Sequence, residues 1–356
     1  MENALMMKKV LRLAAKASGM TSPNPMVGAV LAKNGKLIAE DYHRKPGTPH
    51  AEALVIQKAG EKAKGATLYV NLEPCCHTDK RTPPCTKAII NAGIKKVVTG
   101  MKDPNPKVAG KGIEELEKAG IKVISGILEK EAEKLNEAYI KYIITRKPFV
   151  ILKVAMTLDG KIATPEGESK WITGEKAREK VRRLRSSVDA IITAIGTVKA
   201  DNPRLTARIK GKKDPLRIII DPALETPLDS RILNAPPETI IITEDTGNKA
   251  KKIEEAGVKL IHYTGRLDLK WLMEKLGKMD ITSVLIEGGS SLNSHALEDG
   301  IVDKVMFFIA PKIIGGKDSF PAVGGKVFRK LSEAYKLKDI NVKRIGEDIL
   351  VEGYLK

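Results

Sequence analysis

Residues 67–92 read TLYVNLEPCCHTDKRTPPCTKAIINA, and their order decides the first half of the chain. Thr67–Leu72 is a short apolar run and predicts a strand. Pro74, Pro83 and Pro84 then mark a loop. A helix is expected over Cys85–Ala92. The chain has three cysteines, Cys75, Cys76 and Cys85, and all of them lie in this strand-loop-helix segment. An odd, clustered set points to a metal or to catalysis more than to a disulfide framework.

Upstream, His50-Ala51-Glu52 opens a predicted helix running to Ala63. A His-x-Glu followed by Pro-Cys and a second Cys resembles the signature of the zinc nucleobase deaminases. One imidazole and two thiolates hold Zn²⁺ and leave a fourth position for water. Such an ion lowers the pKa of bound water towards about 7. Glu52 can sit beside the metal without ligating it and carry a proton to the ring nitrogen and the departing ammonia. His50, Cys75 and Cys85 are the expected ligands. Cys76 is the alternative to Cys75, which is favoured because it directly follows Pro74.

Around this segment helices and strands alternate. A helix is expected over Glu2–Ser18. A hairpin follows, with strands Val27–Ala32 and Lys36–Glu40 joined by Asn34-Gly35. Further strands are expected at Lys95–Gly100 and Lys122–Ile127, and one helix at Lys130–Ile144. Residues 1–146 therefore predict a layered α/β domain with a central sheet, and the resemblance to the zinc deaminases implies that it is a cytidine-deaminase-like three-layer α/β domain. After a linker near Thr145–Pro148 the alternation resumes. Phe149–Ala155, Val188–Ile195, Leu216–Asp221, Thr239–Thr243, Val258–Tyr263, Ser283–Glu287, Lys304–Pro311 and Asp348–Tyr354 read as strands. Residues 147–356 form the second expected domain.

Composition narrows the class. The chain has 356 residues, 42% hydrophobic and 30% charged, an ordinary globular balance that suits about two domains. No apolar run approaches the roughly 18 residues of a membrane span, and charges break the amphipathic N-terminal stretch, unlike a signal peptide. A cytoplasmic enzyme without membrane partner is expected. The net charge of +18 fits either a solvated lysine surface or an anionic partner. The lysines are spread without a dense run, which disfavours nucleic acid.

The long spacing between Cys75 and Cys85 is informative. Glu73-Pro74-Cys75-Cys76-His77 and Arg81-Thr82-Pro83-Pro84-Cys85 resemble the bifunctional riboflavin-biosynthesis deaminase/reductase family, with one extra residue between His77 and Arg81. Ser22-Pro23-Asn24-Pro25-Met26-Val27-Gly28 and Asp103-Pro104-Asn105-Pro106 also look like its motifs. The resemblance implies 2,5-diamino-6-ribosylaminopyrimidinone 5′-phosphate as substrate. Asn24 would meet the nucleotide's base edge or ribose, and His77 its pyrimidine. His43, Arg81 and Thr82 would suit its phosphate.

The resemblance continues through the second domain. Its motifs are Lys153–Ala163, with Thr157 where the family usually has Ser; Ser169–Thr173; Arg185; Gly196–Val198; Asp201–Thr206 with Arg208; and Ile286–Ser290. It implies a dihydrofolate-reductase-like α/β domain that uses NADPH to reduce the ribosyl group. Lys153, Asp201 and Glu287 are implied as catalytic residues. Ser169, Arg185, Leu205, Arg208 and Glu287 are implied for substrate. Ala155, Trp171, Thr197, Asp201, Gly289, Ser290, Ser291, Leu292, Asn293, Ser294 and His295 are implied for cofactor. The glycines before a helix form a phosphate cradle, but not the Gly-x-Gly-x-x-Gly of a Rossmann fold. The family also implies a homo-oligomer. A tRNA-editing zinc deaminase with an accessory domain is the competing reading, and a zinc-stabilised binding module a third.

Overall fold

The computed structural model describes residues 2–78, 83–325 and 330–355. The chain divides into two compact units, Met1–Arg146 and Lys147–Lys356.

In the first unit, α1 (Glu2–Ala15) precedes a hairpin of β1 (Gly28–Lys33) and β2 (Lys36–Tyr42). Asn34 and Gly35 both have positive φ, 52° and 74°, as a two-residue hairpin turn requires. Next come α2 (Ala51–Ala59), β3 (Thr67–Leu72), α3 (Cys85–Asn91), β4 (Lys96–Met101), α4 (Lys111–Lys118) and β5 (Lys122–Ile124). The sheet runs β2-β1-β3-β4-β5. β1 is antiparallel to both neighbours, and β3, β4 and β5 are parallel. Side chains of β1 alternate between two cores. Ala29 and Leu31 pack with Val55 of α2 and Ile89 of α3. Val30 and Ala32 pack with Met7, Val10 and Leu13 of α1. The approach of α1 is close: a Cβ on Gly28 would lie 2.4 Å from the Val10 carbonyl oxygen and 2.8 Å from the Ala14 nitrogen.

The single helix expected over Lys130–Ile144 is two helices, α5 (Glu129–Leu135) and α6 (Glu137–Thr145), broken at Asn136. The buried Asn136 amide is committed elsewhere. Its Oδ1 accepts from Met26 N at 2.8 Å, and its Nδ2 donates to Met26 O at 3.1 Å. Asn71, on β3, grips the same stretch by accepting from Gly28 N and donating to Met26 O.

The second unit contains β6 (Phe149–Thr157), β7 (Lys161–Ala163), α7 (Glu175–Arg185), β8 (Ala190–Ala194), α8 (Ile195–Asp201), β9 (Leu216–Ile220), β10 (Thr239–Thr243), α9 (Asn248–Glu255), β11 (Lys259–His262), α10 (Leu269–Lys278), β12 (Ser283–Ile286), α11 (Ser290–Glu298), β13 (Lys304–Ala310), β14 (Phe320–Pro321), β15 (Leu337–Ile345) and β16 (Asp348–Leu355). The main sheet runs β11-β10-β9-β8-β12-β6-β13-β16-β15. From β11 to β13 it is parallel, and β16 and β15 add antiparallel strands. Buried Val150, Leu152, Ile192, Val284, Ile286 and Leu292 form its central core. Ligands of such sheets gather beyond the carboxyl ends of the parallel strands. β8 and β12 deliver α8 and the Glu287–Gly289 turn there. Strand β15 was not expected from the sequence. It is a largely exposed edge, so no apolar alternation marks it.

Candidate active sites

In the first unit the two arms of the motif converge. His50 directly precedes α2, and Cys85 is the first residue of α3. His50 Nδ1 lies 3.2 Å from Cys85 Sγ and 3.5 Å from Cys75 Sγ. The three donor atoms all fall within 4.8 Å of one another. Ligands on a tetrahedral zinc, at about 2.0–2.3 Å from the ion, stand roughly 3.5–3.8 Å apart. The cluster therefore fits that ion. Both cysteines are buried, and Val108 packs against them. Cys76 stands outside the cluster, its sulfur 4.0 Å from the Lys107 carbonyl.

Glu52 is buried, and its Oε2 has no hydrogen-bond partner among the described residues. Burial pushes its carboxyl up, with His50 pulling the other way. An unpartnered buried acid oxygen suits a group that exchanges protons with a bound molecule.

Asn24 and His43 are joined. Asn24 Nδ2 lies 3.2 Å from His43 Nε2, and His43 Nδ1 lies 3.2 Å from the Pro49 carbonyl oxygen. A carbonyl only accepts, so Nδ1 carries the proton and Nε2 accepts from Asn24. Burial holds His43 below its ordinary range. Both ring nitrogens are therefore engaged within the protein, one of them by Pro49 directly before His50, and the imidazole is not poised for a phosphate. His77 is half-buried on the loop after Cys75. Arg81 and Thr82 lie outside the described residues.

In the second unit Glu287 is the hub. It is buried, and it accepts from Arg185 Nε at 2.6 Å, Arg185 Nη2 at 2.9 Å and Lys153 Nζ at 2.9 Å. Burial alone would raise its pKa. Arg185 first and Lys153 second outweigh burial and hold the carboxyl far below the usual range. Two cations share one anion, so the cluster is net positive. The exposed Arg208 is held below its ordinary pKa by partial burial and by the crowding of Arg185, Arg182 and Arg204. Leu205 and Arg208 both have positive φ, 50° and 55°, on the loop that follows α8. Thr206 on that loop accepts from Arg185 through its carbonyl.

Asp201 lies 3.0 Å from Lys170 Nζ and 3.4 Å from Ser169 Oγ, which brings those motif residues together. Trp171 is 63% exposed, with the Arg178 guanidinium over its ring. Thr157, whose hydroxyl replaces the family's serine, donates to Asp159 and accepts from Lys161 N, and so pins the turn between β6 and β7. Ala155 lies half-buried on β6. Thr197 and Gly289 meet across the start of α8 and α11: a Cβ on Gly289 would lie 4.0 Å from Thr197 Oγ1. Ser290 Oγ is a buried hydroxyl with no partner among the described residues. An open glycine and an unpartnered hydroxyl at a helix start fit an anionic cofactor group. Ser291 is exposed beside them. The rest of the expected segment faces the protein. Leu292 is in the core, Asn293 donates to Ala322 O, Ser294 to Glu298, and His295 sits against Asp299.

The fold and the two sites together define a class: a zinc-type pyrimidine deaminase domain followed by a reductase domain in one chain. Residues 1–101 match the model of the cytidine and deoxycytidylate deaminase zinc-binding region, and residues 148–351 match that of the RibD C-terminal domain. The riboflavin biosynthesis protein RibD of Actinobacillus pleuropneumoniae is 47% identical over 97% of this chain and 93% of its own length. That of Aquifex aeolicus is 46% identical over 97% and 96%. A solved deaminase/reductase from Thermotoga maritima superposes with a TM-score of 0.90 at 39% identity, covering 100% of this chain and 99% of that one. The chain belongs to the RibD family of riboflavin-biosynthesis proteins.

The sequence places Glu73 in a motif but gives no role to it, to Asn71 or to Asn136. Each is an ordinary polar residue locally, and its partners lie 30 to more than 100 positions away, beyond the reach of any local pattern.

Proposed function

We propose that the chain carries out two successive steps of flavin synthesis on one pyrimidine nucleotide. The first unit hydrolyses the C2 amino group of 2,5-diamino-6-ribosylaminopyrimidinone 5′-phosphate, releasing ammonia. The second reduces the ribosyl group of the product to ribityl. The observation that carries the reading is the convergence of His50, Cys75 and Cys85 beside the unpartnered oxygen of Glu52.

His50, Cys75 and Cys85 would hold zinc, which when bound supplies a Lewis acid that makes water nucleophilic at neutral pH. Glu52 takes the proton from the attacking water and passes it to the ring nitrogen and the leaving amine. Asn24 presents its remaining amide capacity to the nucleotide, with its orientation set by His43. His77 and, from outside the described residues, Arg81 and Thr82 complete the substrate contacts.

In the second unit Gly289, Ser290, Ser291, Thr197, Ala155 and Trp171 would hold NADPH, which when bound supplies a hydride. Arg185, Arg208 and Lys153 present the excess positive charge that a substrate phosphate needs, with Ser169 and Leu205 beside them. Glu287 orients Arg185 and Lys153, and Asp201 orients Ser169 and Lys170. The family resemblance also supports a homo-oligomer working in the cytoplasm without nucleic acid or membrane.

Glu52→Gln tests the first step. Ammonia release should fall by about 10²–10⁴-fold. Zinc content should stay unchanged, as should NADPH oxidation on the deaminated substrate. Undiminished ammonia release would refute the assignment.

A further inference from the structure

Glu73 stands two residues before Cys75 and is buried. Its two oxygens accept four backbone N–H groups. Oε2 takes those of Asp103 at 3.1 Å and Gly110 at 3.0 Å. Oε1 takes those of Gly112 at 2.9 Å and Ile113 at 3.2 Å. A carboxylate has about four acceptor positions, and all are used. Two of the donors are among the first amides of α4, which no helical carbonyl can satisfy. Glu73 thus caps a helix that is far from it in sequence.

The two segments are also in contact. A Cβ on Gly112 would lie 2.1 Å from the Pro74 carbonyl oxygen, so the start of α4 rests on the peptide that leads into Cys75. Between the capped ends, Val108 is fully buried against Cys75 and Cys85. On the other side the Cys75 carbonyl accepts from Thr86 N, next to Cys85.

We propose that Glu73 is a positioning residue for the deaminase. It locks segment 103–113 to the Glu73-Pro74-Cys75 turn, and so fixes the Cys75 thiolate and holds Val108 over the sulfurs. Outer-shell partners of this kind typically change metal affinity or activity by about 10–100-fold. The coupling must be reciprocal, so metal binding should steady the segment that Glu73 holds.

The inference rests on the zinc reading of the site, and the experiment separates the two. Full-length wild-type protein is first assayed for metal. Failure to hold about one zinc per chain refutes the zinc reading itself. Hydrogen exchange of zinc-loaded and zinc-stripped wild type is then compared. The amides of Gly110, Gly112 and Ile113 should exchange at least about tenfold faster without metal, following the affinity change expected of an outer-shell partner. Unchanged exchange there overturns the proposal.

Glu73→Gln keeps the shape but turns an N–H₂ towards backbone donors. Its zinc affinity, measured by chelator competition, should fall about 10–100-fold. The thiolate absorption of its cobalt-substituted form should shift. Deaminase kcat should fall with little change in KM, and NADPH oxidation should stay intact. A variant with a lower melting temperature but wild-type zinc affinity and cobalt spectrum would show a purely structural role and overturn the proposal. If the variant does not fold, the exchange comparison on wild type decides alone.

Discussion

Glu287 carries two roles that pull in different directions. It neutralises part of the charge of Arg185 and Lys153, and it leaves enough of that charge for an anion. Breaking a buried ion cluster by removing one member typically costs about 3–5 kcal/mol. Glu287→Gln should lower stability on that scale and reduce reductase kcat/KM. Chemical denaturation followed with NADPH turnover checks both, and a stable, fully active variant would contradict this role. The pH dependence follows from the same contacts. The folded-state pKa of Glu287 is depressed below its unfolded value, near 4.3. The stabilisation is therefore complete above that value and is lost as pH falls towards the folded pKa. The difference in melting temperature between wild type and Glu287→Gln should shrink between about pH 5 and pH 3. A constant difference would show that the carboxyl does not titrate with folding.

At the scale of elements, the metal segment was legible because one short stretch contains the strand, the loop, the helix start and two ligands. Thr67–Leu72 was predicted with the bounds observed. Other elements were less legible because their causes are not local. Periodicity runs through Lys130–Ile144, yet the helix breaks because Asn136 serves Met26 instead of its own helix. Strand β15 carries Lys338, Asp339, Lys343 and Arg344, and pairing with β16, not burial, defines it. His43 looked like a phosphate ligand because sequence shows a residue type and not the bonds already made by it. Asn136→Ala should leave the Met26 amide without a partner while Asn71 keeps the Met26 carbonyl, at a cost of about 1–3 kcal/mol. The Asn24 loop should loosen with it, so deaminase KM should rise while reductase kinetics hold. Urea denaturation and steady-state assays of both activities test this, and an unchanged deaminase KM would argue that the loop is held by Asn71 alone.

At the scale of the whole molecule, each unit has its own core and its own candidate site. The only metal-type cluster among the described residues, His50, Cys75 and Cys85, lies in the first unit. Chelation should therefore abolish ammonia release and leave NADPH oxidation on the deaminated nucleotide close to its starting rate. Assaying both products on one chelated sample decides the point, since a parallel loss would mean that the second activity also needs the metal. Among the described residues no helix is long and apolar enough to cross a membrane.

The seating of α1 on Gly28 bears on how this protein can be engineered. The helix backbone lies against the strand with no room for even a methyl group. An affinity handle fused ahead of Met1 should be tolerated if it leaves Glu2–Ala15 free to dock. Trimming the chain back to residue 16 in search of a minimal catalyst would instead uncover Val30, Ala32, Tyr69 and Val98 on one face of the sheet. Such a shortened product is expected to precipitate during purification.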